Sequence, residues 1–130
     1  GVPVLAMSYA RGPGVDEHDA ESLAHAVRIA EELGADIVKT AYSGDPDTFE
    51  RVCEATRLPV VIAGGSRGTD RETAEMVRGA MDAGAAGISM GRSIFQHDDP
   101  EAITRAVSAV LHDDAATEEA LKMAGLSVEA

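Results

Sequence analysis

Lysine is almost missing from this chain: Lys39 and Lys122 are the only two in 130 residues, against nine arginines. Tryptophan is absent and aromatic residues make up 3%, so a core has to be aliphatic. The single cysteine, Cys53, excludes an internal disulfide framework. Set among glutamates and arginines, it reads as an inert helix thiol. No apolar run approaches the roughly 20 residues of a membrane span. No basic stretch of the kind that opens an export signal precedes the first apolar run, so a cytoplasmic protein is expected. Positive charge is scarce as well: 23 acidic residues face 11 basic ones, for a net charge of −12. Such a surface is a poor partner for nucleic acid or an anionic membrane. Rich in acid and poor in lysine, it looks like the surface of a protein from a high-salt cytoplasm; an ordinary acidic enzyme is the other reading.

What is present is alternation. Short β-branched runs bounded by turn residues, at 2–7, 36–42, 59–63 and 86–90, read as strands. Each is followed by a stretch of helical period: 19–33, 46–56, 70–84 and 99–112, with a last helix at 116–125. In the first of these Leu23, Ala26, Val27, Ala30 and Leu33 fall on one face; in the third, Ala74, Val77, Ala80 and Met81 point inward. Asp19 is placed to cap the first helix, Gly34 to terminate it, and Asp99-Pro100 to open the fourth. "EELGADIVK" (31–39) and "MDAGAAGISM" (81–90) echo each other, each closing a helix at a glycine and starting a strand. Repeated βα units make a parallel sheet. A (β/α)8 barrel takes about 250 residues, so four units in 130 predict its C-terminal half, strands five to eight, as part of a longer chain. A free-standing open sheet of four or five strands is the alternative.

In parallel α/β folds chemistry collects at the C-terminal ends of the strands. Those ends are Ser8-Tyr9-Ala10-Arg11-Gly12, Lys39-Thr40-Ala41, Gly64-Gly65-Ser66 and Gly91-Arg92-Ser93. The last two put glycine turns before helices, with "SIFQ" offering a short extra helix. That combination suits a phosphate, because backbone N–H groups can approach an anion without a Cβ in the way; tight packing of loop against helix is the plainer explanation. Lys39 leaves an apolar strand at the presumed mouth of the site. It either pairs with a buried acid or works as an amine. Desolvation and a nearby Arg11 or Arg92 would favour the neutral amine, which attacks carbonyls to form a Schiff base. Tyr9 is positioned to move protons, or to act as a lid. Arg11 binds substrate or pairs with Asp16 or Glu17. His18, His25, His97 and His112 show no ligand spacing, so no metal is assigned. Asp99, as a cap, explains part of the acidic "QHDDP", and Tyr42, Ser43 and Asp45 read as turn formers.

Taken together, "AMSYARGPG", "ELGADIVKTAYSGD", "PVVIAGGSRGTD" and "GAAGISMGRSIFQHDDP" resemble the archaeal class I aldolase family of (β/α)8 barrels, from about residue 2 to residue 121. The resemblance implies that Lys39 is the Schiff-base lysine and Tyr9 the proton donor. It further implies that Tyr9, Ala10 and Arg11, with Lys39, Thr40 and Ala41, contact substrate, and that Gly64, Gly65, Gly91 and Arg92 bind phosphate. Ala10 stands where the family has proline. Ala41 replaces a second lysine common in the family's aldolases, which favours a transaldolase-type synthase over a bisphosphate aldolase. The family's proton-accepting aspartate lies on the first strand, outside these residues. By the same resemblance the partners are a phosphorylated ketose and an aldehyde, no cofactor is needed, and the enzyme is a homo-oligomer. A non-catalytic phosphate-binding module is the competing class.

Overall fold

The structure is a computed structural model that describes residues 1–129. Its elements run β1 (Leu5–Met7), α1 (Ala20–Glu32), β2 (Ile37–Thr40), α2 (Pro46–Glu54), β3 (Val60–Ala63), α3 (Asp70–Asp82), β4 (Gly87–Ser89), α4 (Arg92–Phe95), α5 (Pro100–Asp113) and α6 (Thr117–Met123). The four strands form one sheet in the order β1-β2-β3-β4, every pair parallel. Register aligns Met7, Lys39, Val61 and Gly87 across it.

Local chemistry accounts for the element boundaries. The Asp19 carboxylate accepts from the Ser22 N–H and starts α1. Asp45 does the same for Thr48, with Pro46 opening α2, and Asp99 for Ala102, with Pro100 opening α5. Thr69 and Glu72 form a reciprocal capping box on α3. The echo in the sequence is structural: Gly34 and Gly84 follow α1 and α3 at φ +93° and +105°. After each, the next N–H returns to a helix carbonyl, Ala35 to Ala30 and Ala85 to Ala80.

One core lies between the sheet and α1 and α2, with Leu23, Val27, Val38, Phe49, Val52 and Ile62 at its centre. A second joins α3 to α5 and α6 through Val77, Val107, Val110 and Ala120. The sheet's other face carries Met7, Lys39 and Ser89 and is not covered by these helices. Two details depart from the periodic reading. Leu33 is 83% exposed, because it caps α1 beyond the last turn that packs. Val2 and Val4 are exposed and precede β1 rather than extending it.

Candidate active site

The C-terminal ends of all four strands open into one cavity of about 360 Å³. Lys39 reaches it from β2, next to Ala41 and Tyr42; Tyr9 and Arg11 come from the loop after β1, Gly64 and Gly65 from the end of β3, and Gly91 and Arg92 from the end of β4. Lys39 forms no ion pair among the described residues. Within these residues it therefore has no acid to pair with, and its amine is presented to the cavity.

Arg11 does not pair with Asp16 or Glu17. Its guanidinium lies over the Tyr9 ring, 5.1 Å from the centroid, a cation–π arrangement that leaves its N–H edges open. Asp16 instead accepts from the His18 N–H at 2.9 Å, and Glu17 faces the His18 ring at 3.4 Å.

The glycine ends are shaped by close approach. A Cβ on Gly64 would sit 3.1 Å from Met90 Cγ and 3.3 Å from Ser93 Oγ, so the β3 end lies directly on the β4 end. Gly65 adopts φ +66°, a left-handed conformation that turns the chain there. Gly91 accepts from the N–H groups of Ile94 and Phe95 and starts α4, the short extra helix expected at "SIFQ".

Two expected contact residues are not in the cavity. Thr40 is fully buried on the helix side of β2, since neighbouring strand residues point to opposite faces; its hydroxyl faces the core rather than a substrate. Ala10 packs against the core and lines a separate groove beside α1. In their place the structure brings in Glu17, His18 and Tyr42. His18 Nδ1 lies 3.1 Å from the Tyr42 carbonyl, which can only accept, so that nitrogen carries the proton. No spacing in "GVDEHDA" announces Glu17 and His18, which a loop folding over the mouth delivers; Tyr42 comes from the end of β2.

Tyr42 is wedged edge-on against Phe49, centroids 5.1 Å apart. Burial, with Asp45 and Asp82 nearby, pushes its phenol up to about 12, so it stays a neutral donor through the physiological range. Burial and flanking glutamates push the Cys53 thiol up to about 11, which removes the thiolate that redox chemistry requires.

Four parallel strands that gather an amine and two glycine turns at one end have the construction of a (β/α)8-barrel enzyme, here half a barrel. The chain belongs to the DeoC/LacD aldolase family, whose family model matches residues 1–97. It is 65% identical over 130 residues to the 2-amino-3,7-dideoxy-D-threo-hept-6-ulosonate synthase of Halobacterium salinarum, covering 100% of this chain and 49% of that protein. To the class 1 fructose-bisphosphate aldolase of Halobacterium salinarum it is 40% identical over 122 residues, 92% of this chain and 46% of that one. A solved Schiff-base-forming fructose-1,6-bisphosphate aldolase superposes with a TM-score of 0.82 at 38% identity, over 85% of this chain and 46% of that structure. The chain thus spans about half the length of the curated relatives it matches.

Proposed function

We propose that this chain is the catalytic-lysine half of an enzyme that makes 2-amino-3,7-dideoxy-D-threo-hept-6-ulosonate from 6-deoxy-5-ketofructose 1-phosphate and L-aspartate semialdehyde. The observation that carries the proposal is Lys39, an amine with no ion pair among the described residues, in one cavity with Tyr9, Gly64, Gly65, Gly91 and Arg92. Identity of 65% to the synthase against 40% to the aldolase favours the first chemistry, and Ala41 points the same way.

In this scheme the unprotonated Nζ of Lys39 adds to the C5 ketone, and loss of water leaves an iminium. The C3 hydroxyl gives up its proton and the C3–C4 bond breaks. Its electron pair moves into the iminium to make an enamine, and hydroxypyruvaldehyde phosphate departs. The enamine carbon then attacks the aldehyde carbon of aspartate semialdehyde, the new alkoxide takes a proton, and water hydrolyses the imine to free the product and Lys39. Tyr9 exchanges protons at these steps. The glycine ends and Arg92 hold the phosphate. The iminium is the electron sink, so the scheme calls for neither cofactor nor metal. The product would feed an alternative route to 3-dehydroquinate and aromatic amino acids, in a cytoplasmic homo-oligomer.

The second reading is a class I fructose-1,6-bisphosphate aldolase, favoured by the solved structure of similar shape. A coupled assay of the complete protein with both substrate sets decides. Synthase turnover supports the proposal, and turnover of the bisphosphate alone overturns it. Borohydride reduction in the presence of the ketose phosphate, followed by peptide mapping, should mark Lys39; an unmarked Lys39 would favour a non-catalytic phosphate-binding module.

A further inference from the structure

One largely buried histidine lies outside the cavity lining. His97 follows α4, and its side chain is only 9% exposed. Its Nε2 lies 2.7 Å from Oδ1 of Asp70, the first residue of α3. Its Nδ1 lies 2.8 Å from the backbone nitrogen of Asp99, which can only donate. Nδ1 is therefore the acceptor, and the neutral ring carries its proton on Nε2, aimed at the Asp70 carboxylate. One backbone N–H thus selects the tautomer that suits the pairing.

The positions of the two partners give the contact a purpose. Asp70 ends the turn that Gly64 and Gly65 begin, and His97 ends the turn that Gly91 and Arg92 begin. At their near ends these turns touch through Gly64 on Met90 and Ser93. Among the described residues no backbone hydrogen bond outside the strand ladder joins them. The far ends are joined by the His97–Asp70 hydrogen bond, part-buried and strengthened by its charged acceptor.

We propose that His97 is a positioning residue for the anion site: through Asp70 it holds the turn after β3 against the turn after β4, so that the backbone of Gly64 and Gly65 and the guanidinium of Arg92 converge on one phosphate. The inference rests on reading those glycine ends as the phosphate site.

The test uses the complete enzyme, with inorganic phosphate as a competitor of turnover. His97→Ala should raise both the inhibition constant of phosphate and the KM of the ketose phosphate about tenfold, leaving kcat within about twofold. His97→Gln, which keeps an N–H donor directed at Asp70, should recover most of that loss. Combining His97→Ala with Asp70→Ala should cost no more than either change alone, because both remove the same link. Unchanged phosphate inhibition and KM in His97→Ala, additive losses in the double variant, or kcat falling as far as KM rises would each overturn the role. If His97→Ala does not fold, the comparison moves to His97→Gln and Asp70→Asn. Phosphate inhibition close to wild type in the first supports the pairing; a tenfold loss in the first and none in the second overturns it. If phosphate fails to compete even in the wild type, the phosphate-site reading itself falls. If it competes equally in wild type and His97→Ala, only the role of His97 does.

Discussion

Nine arginines carry most of this chain's positive charge, and none could replace the amine at position 39. A guanidinium keeps its proton and its resonance, so it does not add to a ketone to form an iminium. Lys39→Arg in the complete protein should lower turnover below about 10⁻⁴ of wild type and abolish borohydride trapping; turnover that survives the change would remove the Schiff base from the mechanism. Tyr42 makes a prediction about pH. Its folded value of about 12 exceeds the ordinary 10.0 of a free phenol. A raised folded value contributes stability in full below pH 10, and that contribution is lost as pH rises from 10 through 12, where the unfolded phenol ionises first. The melting temperature of Tyr42→Phe should therefore fall less than that of wild type across that interval. Parallel melting curves would show that the phenol is not shielded.

Among the elements, α3 carries the constraint that ties packing to the site. Gly79 sits inside this helix, and a Cβ there would lie 2.3 Å from the Tyr42 hydroxyl and 3.1 Å from its ring. Alanine in a helix interior is worth about 1 kcal/mol over glycine, but forcing a wedged ring aside costs about 1–3 kcal/mol. Gly79→Ala should therefore be destabilising in the wild-type background and less so when Tyr42 is phenylalanine, which removes the hydroxyl but keeps the ring, as chemical denaturation of the single and double variants would report. A destabilisation that persists undiminished in the double variant would place its cause elsewhere in the helix. Element boundaries were largely legible, because capping is local: Asp19, Pro100 and Gly34 act on residues within one turn. Leu33 was misread for the same reason. Its place in the period is correct, but nothing in the period says that the helix ends before it.

For the whole molecule, the charge of −12 sets the dependence on ionic strength. Ion pairs on the helix surfaces, such as Arg28 with Glu32 or Arg105 with Glu101, offset part of the acidic excess, but exposed pairs of this kind contribute little each. Self-repulsion of the rest is screened by salt, with a Debye length falling from about 10 Å at 0.1 M to about 3 Å at 1 M. The melting temperature should rise steadily from low to multimolar salt, and a flat response would contradict a surface adapted to high salt.

From the residues alone came the alternation of strand and helix, the parallel sheet, and the gathering of Lys39, the glycine ends and Arg92 at one end of it. Each of these follows from interactions over a few residues and from the direction that parallel connections impose. Tertiary structure decided the rest. The loop before α1 carries Glu17 and His18 over the cavity, and Arg11 settles on Tyr9 instead of an acid. Thr40 turns its hydroxyl to the core, and His97 finds Asp70 across two turns. These are contacts between side chains that no period or spacing links, formed only where packing brings separate loops within a few ångströms of each other.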